Sequence, residues 1–331
     1  RLYGYDKIPV KMPGVTIQKT YTEEKKAIRA VVKKAKTILY SLGMDEIVTY
    51  TLTSRFSIET LGISFDNVVR LQNPLSSNQE FMRPSLSSEM LEVLSWNMNR
   101  KNPLLGLFEL SKVYFNDKKN SGVQEKLHLS LGMAGVLDGN WKDRSREIDF
   151  FDLKGLVAQF LDFLGIKDYS IEKEESVIFK DALSATLKVG GQVMGILGEV
   201  KPDLAKKFDI KQKVYLAEIY FEDLLKHIDL KTRFMPLPRY PSVKRDISIL
   251  VDDSVTASGI LDVIKKEGGS LIKAVKLFDL YKGHQIEQDK KSLGFTMEYR
   301  SDEKTLKEED IAQIHKRIQD AMVKKIGAQI R

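Results

Sequence analysis

A chain of 331 residues with 42% apolar and 30% charged side chains carries enough apolar material for two or three packed domains, which excludes a disordered or fibrous class. Cysteine is absent, so disulfides and thiolate metal sites are excluded, and this fits a reducing compartment such as the cytoplasm. The net charge of +7 forms no basic arm, with 18 Lys/Arg against 15 Asp/Glu from residue 236 onward, and no apolar run approaches the roughly 20 residues of a membrane span.

Residues 1–15 hold two prolines, two glycines and two tyrosines and read as a linker or the end of an upstream domain. The chain opens on Arg1 rather than Met, so it reads as part of a longer protein. A helix is predicted over Thr20–Leu42, with Thr20 and Glu23 at capping-box spacing, Ile28, Val31, Val32, Ala35, Ile38 and Leu39 on one stripe, and Gly43 as the stop. Its other face is rich in lysine and reads as solvated, with an RNA or subunit contact as the alternative. Strands are predicted at Glu46–Leu52 and Asn67–Leu71, followed by a polar loop and, after Pro84, a helix carrying Leu86, Met90, Leu94 and Met98. Leu105–Tyr114 and Leu127–Leu137 read as strands, Asp152–Leu164 as an amphipathic helix closed by Gly165, and Ala185–Val189, Val193–Val200 and Val214–Phe221 as further strands. Consecutive strands with few intervening helices predict an α+β module over residues 16–235, a largely antiparallel sheet with helices to one side.

The prolines of PRYPSVKRDISILV (Pro238–Val251) mark a stiff entrance to a last domain, residues 236–331. Strands at Asp246–Val251, Ile272–Phe278 and Ser292–Tyr299, helices at Ala257–Lys266 and Lys307–Ile326, and a short strand at Ala328–Ile330 give the order β-α-β-β-α-β of a ferredoxin-like domain. Two helices cover one face of such a sheet, and the other face is a common place to lay single-stranded RNA. Alternation puts Asp246 and Ser248, and Ser292, Gly294, Thr296 and Glu298, on that face; Tyr281, just past the second strand, is a candidate stacking platform.

Self-contained chemistry is not evident. There is no GxxxxGK[ST] loop, and the glycine-rich run Gly190–Gly198 lacks GxGxxG spacing and reads as a turn feeding a strand. The four histidines, His128, His227, His284 and His315, share no metal-ligand spacing; His128, in a strand, reads as a surface or hydrogen-bonded histidine. No catalytic residue and no metal ligand is assigned.

The segments RLYGYDKIP (Arg1–Pro9), LQNPLSSNQEFMRPSL (Leu71–Leu86), LFELSKVYF (Leu107–Phe115), GGQVMGILGEVKPDL (Gly190–Leu204), RYPSVKRDISILV, LFDLYKG (Leu277–Gly283), KSLGFTMEYRS (Lys291–Ser301) and the closing GAQIR resemble, in that order, the C-terminal part of the bacterial phenylalanyl-tRNA synthetase β subunit family. The resemblance implies the end of a B5 domain, a B6–B7 module with the class II synthetase fold but without its ATP-binding residues, and a ferredoxin-fold anticodon-binding domain. The missing GxGxGxxR-like junction agrees with that loss. It further implies a non-catalytic part of a ligase. The α subunit would hold ATP, phenylalanine and the aminoacylation site in an (αβ)2 assembly, and tRNA-Phe would be the RNA partner. The family's carboxylate-bound Mg2+ would belong to positions ahead of Arg1. By motif, the resemblance places the anticodon contacts at Tyr281 (stacking), Asp279 (base-edge hydrogen bonds), Ser248, Ser292 and Arg331. Ser248 and Ser292 are the two that strand alternation had already put on the open face. The helices Thr20–Leu42 and Ser85–Asn99 are candidate surfaces for the α partner. A stand-alone RNA-binding module without a synthetase partner is the alternative.

Overall fold

The computed structural model describes residues 2–10, 22–117, 122–139, 141, 144–231, 234, 236–283 and 286–331. The chain divides into two compact units, Arg1–Thr232 and Arg233–Arg331.

The first unit runs α1 (Glu23–Ser41), β1 (Asp45–Glu46), β2 (Leu52–Thr53), α2 (Arg55–Thr60), β3 (Phe81–Met82), α3 (Ser87–Met98), β4 (Leu104–Asp117), β5 (Gly122–Leu137), β6 (Arg146–Glu147), α4 (Phe150–Phe163), β7 (Tyr169–Lys173), β8 (Phe179–Val189), β9 (Gln192–Val200), α5 (Pro202–Lys207), β10 (Val214–Ile219) and α6 (Phe221–Leu224). The main sheet has the order β1-β4-β5-β10-β9-β8-β7, with β6 on β5. Every pair is antiparallel except β1–β4. The side chains alternate between two cores. Phe108, Leu110, Leu129, Leu131 and Ala217 pack with α1 and α4, while Leu105, Leu107, Ala134, Val214 and Leu216 pack with α3 and α5. Helices therefore cover both faces, not one. The strand VYLAEI explains why: all six of its residues are buried, so neither face can be open.

The expected capping residue Thr20 lies outside the described residues. The observed cap is Thr22, whose hydroxyl accepts the Lys25 N–H at 3.3 Å. Glu23 and Glu24 occupy the first turn, where carboxylates favour the helix dipole. Gly190 and Gly191, at φ +56° and +78°, make the turn between β8 and β9. Inside β9, Gly195 lets the neighbouring strand approach: a Cβ there would sit 2.6 Å from the Glu218 carbonyl oxygen.

Two predicted strands shrink. Of Glu46–Leu52 only the ends enter ladders, and Asn67–Leu71 contributes a single bridge, Arg70 to Phe81. Residues between β1 and β2 are held instead by side chains. The Thr49 hydroxyl donates to Glu109 at 2.7 Å, and the buried Arg83 guanidinium reaches Thr49 Oγ1 at 2.6 Å, the Tyr50 carbonyl at 3.3 Å, Ser111 Oγ at 2.7 Å and the Lys112 carbonyl at 3.0 Å. Arg83 Nη1 also lies 3.0 Å from the equally buried Glu109 carboxylate.

The second unit runs β11 (Val243–Asp252), α7 (Ala257–Gly268), β12 (Ile272–Tyr281), β13 (Lys290–Tyr299), α8 (Glu308–Ile326) and β14 (Gln329–Ile330). The sheet order is β12-β13-β11-β14, all antiparallel. Ile247, Ile249, Val251, Leu293, Phe295 and Met297 pack against Ile260, Ile264, Ile318 and Met322 of the two helices. Thr256 caps α7, accepting the Gly259 N–H at 3.2 Å, and Gly327 at φ +70° ends α8. This is the predicted β-α-β-β-α-β arrangement.

Candidate nucleic-acid interface

The face of the second unit's sheet turned away from α7 and α8 is built in cross-strand rows, because directly opposed residues share a face. The rows are Ala274, Glu298 and Lys244; then Lys276, Thr296 and Asp246; then Asp279, Gly294 and Ser248; then Tyr281, Ser292, Leu250 and Gln329. The face is polar at one end, where the Thr296 hydroxyl donates to Asp246 at 2.6 Å. At the other end it is small and partly apolar.

Asp279 and Tyr281 do not reach this face by simple alternation. In a regular strand they would lie on the face opposite to that of Ala274 and Lys276. The pairing of β12 on β13 slips between Leu277 and Asp279, leaving Phe278 as an extra residue. This β-bulge brings Asp279 opposite Gly294 and Tyr281 opposite Ser292. Tyr281 is thus the last residue of β12, not a residue beyond it.

The bulge also exposes a residue that sequence reasoning had left in the strand without a role. Phe278 is 54% exposed, and its ring lies over Gly294: a Cβ on Gly294 would meet Phe278 Cζ at 2.8 Å. Gly294 points to the uncovered face, so the Phe278 ring lies there too. Tyr281, 39% exposed, folds its hydroxyl end over Gly283. Two aromatic rings therefore stand three residues apart on the uncovered face. The missed signal was the FDLY run itself, in which two aromatics flank Asp279.

The five predicted residues fall together. Ser248 and Ser292 hydroxyls are 3.5 Å apart, and the Arg331 N–H donates to the Ser248 carbonyl at 2.9 Å, tying the end of the chain to the same corner. Arg331 and Asp279 are exposed, Ser248 is half-buried, and Ser292 is buried. The face is not bare along its whole length: Phe278 roofs Gly294, and Ser292 has little free surface. Lys244 and Lys276 are exposed on the polar rows. The arrangement offers two stacking rings, a carboxylate that accepts base N–H groups, and cations for phosphate.

Among the described residues, no group of three or more His, Asp or Glu side chains is placed to hold a metal ion, and no helix is long and apolar enough to cross a membrane.

Comparison with known proteins accounts for both units. Residues 8–221 match the family model described as the phenylalanyl tRNA synthetase beta chain CLM domain, and residues 238–331 match the ferredoxin-fold anticodon binding domain. The chain is 33% identical to the phenylalanine–tRNA ligase beta subunit of Clostridium acetobutylicum over all of its own length and 41% of that relative's. It is 36% identical to the beta subunit of Syntrophotalea carbinolica, again over its whole length and 42% of the relative's. The chain thus spans about two-fifths of these curated relatives. Among solved structures, a pyrrolysyl tRNA synthetase from Desulfitobacterium hafniense aligns at a TM-score of 0.48 and 18% identity, covering 60% of this chain and 66% of that one. With a family model over each unit and relatives aligned from end to end, the chain belongs to the phenylalanyl-tRNA synthetase β-chain family.

Proposed function

We propose that residues 236–331 read the anticodon loop of tRNA-Phe, and that residues 16–235 are a non-catalytic module docking a phenylalanine-activating α subunit within an (αβ)2 ligase of the cytoplasm. The observation that carries this reading is the bulge that aligns Asp279 and Tyr281 with Ser248 and Ser292 on the uncovered sheet face. Tyr281 and Phe278 stack on unpaired bases, Asp279 accepts from a base edge, the two serines and Arg331 border that corner, and Lys244 and Lys276 meet phosphate.

The first unit supports an accessory role. ATP requires cations to meet its phosphates. The cavity over its sheet is lined by Lys126, already 3.6 Å from Asp223, and His128, paired with buried Glu218; Arg83 is wholly engaged elsewhere. These residues do not fit a triphosphate. ATP is therefore assigned to the α partner. For the α contact, α3 offers little surface, since most of its residues are buried. The exposed Val48 and Tyr50, with Tyr40 of α1, are the better docking surface.

In the assembled enzyme, Tyr281→Ala is expected to lower kcat/KM for charging tRNA-Phe by about 5- to 150-fold, the loss of roughly 1–3 kcal/mol of stacking. Phenylalanine-dependent pyrophosphate exchange should be unchanged. Equal loss in both assays would count against anticodon reading. Gly294→Ala should cost about 1 kcal/mol of stability, because its Cβ would meet Phe278 Cζ at 2.8 Å and Asp279 Cβ at 3.2 Å, and weaken tRNA binding by displacing the Phe278 ring. Unaltered tRNA affinity in a filter-binding titration would remove Phe278 from the interface.

A further inference from the structure

The C-terminal ends of α3 and α5 meet at a cationic corner of the first unit. Asn99, just past α3, donates its side-chain amide to Asp209, just past α5, at 3.1 Å. That bond brings Arg100 and Lys101 toward Lys206, Lys207 and Lys211. All five cations are exposed, and none is paired with a carboxylate among the described residues. Lys206 and Lys211 line a cleft of about 480 Å³. The two acids of that cleft are engaged: Glu199 lies 3.5 Å from Lys180, and Asp209 accepts from Asn99. The corner therefore carries a surplus of positive charge that nothing beside it balances.

Folding alone explains part of this. The last carbonyls of α5 favour Lys206 and Lys207. They do not explain Lys101, which holds φ +63° at a position where glycine would be less costly. Nor do they explain Trp96 in the last turn of α3, whose indole is 56% exposed. The Arg100 guanidinium lies 3.5 Å over the centre of that ring and is fixed there by donating to the Trp96 carbonyl at 2.9 Å. A flat, half-exposed stack of guanidinium and indole is thus held ready beside unbalanced cations. Unpaired bases stack on aromatic rings, and the phosphates that flank them need cations.

We propose that this corner is a second RNA-contacting surface, at which Trp96 stacks on an unpaired base while Arg100, Lys101, Lys206 and Lys211 meet the phosphates on either side. Every residue involved lies in the first unit, so the inference stands apart from anticodon reading.

The test uses the 331-residue chain with Trp141→Phe, which leaves Trp96 as its one tryptophan, and with Phe278→Ala and Tyr281→Ala, which remove the stacking rings of the second unit. Unlabelled single-stranded RNA of mixed sequence should quench the Trp96 emission saturably, as a stacked base does. In anisotropy titrations with the same RNA carrying fluorescein, Trp96→Ala should weaken binding by about 5- to 150-fold. Trp96→Phe, which keeps a ring, should retain most of the affinity, and both variants should melt with the parent. Lys206→Ser with Lys211→Ser should make the slope of log affinity against log salt shallower by about 0.7 for each lysine. The proposal is overturned if saturating RNA leaves the Trp96 emission unchanged, if Trp96→Ala binds like the parent, or if the lysine variant keeps the parent's salt slope. It is equally overturned if phosphatidylserine vesicles quench Trp96 and RNA does not.

Discussion

Arg83→Met is expected to lower the unfolding free energy of the first unit by about 3–5 kcal/mol, the effect of stripping one partner from a buried ion pair. Arg83 and Glu109 are both almost fully buried, and the guanidinium spends its donors on Thr49, Tyr50, Glu109, Ser111 and Lys112. Methionine fills much of the space but leaves the Glu109 carboxylate in the interior without its counter-charge. The double variant Arg83→Met with Glu109→Gln should recover a large part of the loss, because the stranded charge dominates it. Urea denaturation measures both, and a single-variant loss below about 1 kcal/mol would contradict this account. Hydrogen exchange should also show the stretch between β1 and β2 loosening first, since its fastenings run to Arg83 and Glu109.

The second large effect is a pH dependence. Glu89 on α3 is buried, and burial pushes its carboxyl up to about 7; hydrogen bonds from Ser88 and Thr53 and the charge of Arg83 pull the other way but do not prevail. Its folded value exceeds its ordinary 4.5, so the native state prefers the protonated form. That contribution is complete below about pH 4.5 and is lost as pH rises through about 7. Stability of the first unit should therefore decline from pH 5 to 8.5 by an amount on the order of 3 kcal/mol. Glu89→Gln, neutral at every pH, should flatten the slope and be the more stable protein at pH 8. Glu218 acts in the opposite sense, its lowered carboxyl contributing stability that is lost only in acid, so the two windows separate. Urea midpoints measured across that range decide it; parallel profiles for parent and variant would clear Glu89 of the effect.

Local pattern carried most of the architecture. The helices α1, α3, α4, α7 and α8 and the strands of the second unit followed from apolar spacing and caps, since each buries one stripe or one face. The stretch from Glu46 to Leu52 misled because its β-branched residues suit a strand, while the groups that hold it, Arg83 and Glu109, lie far along the chain. β7 was missed because YSIEK is short and mostly polar, as a border strand can be. The His128–Glu218 pair spans 90 residues and has no local signature. At the corner of Ser248 and Ser292, motif resemblance named Asp279 and Tyr281, but the bulge that aims them has no marker in strand alternation, and Phe278 went unassigned with it.

β12 forms one border of its sheet, with Leu277, Phe278, Leu280 and Tyr281 all exposed. A straight border of that composition is a template for pairing with a second molecule and then a third. Two slips of register, at Ile272/Ala274 and Leu277/Asp279, and the neighbouring lysines 273, 276 and 282 break that template. The irregularity that aims the side chains thus also guards against fibrous self-association, and a variant that straightened β12 by deleting Phe278 would forfeit both.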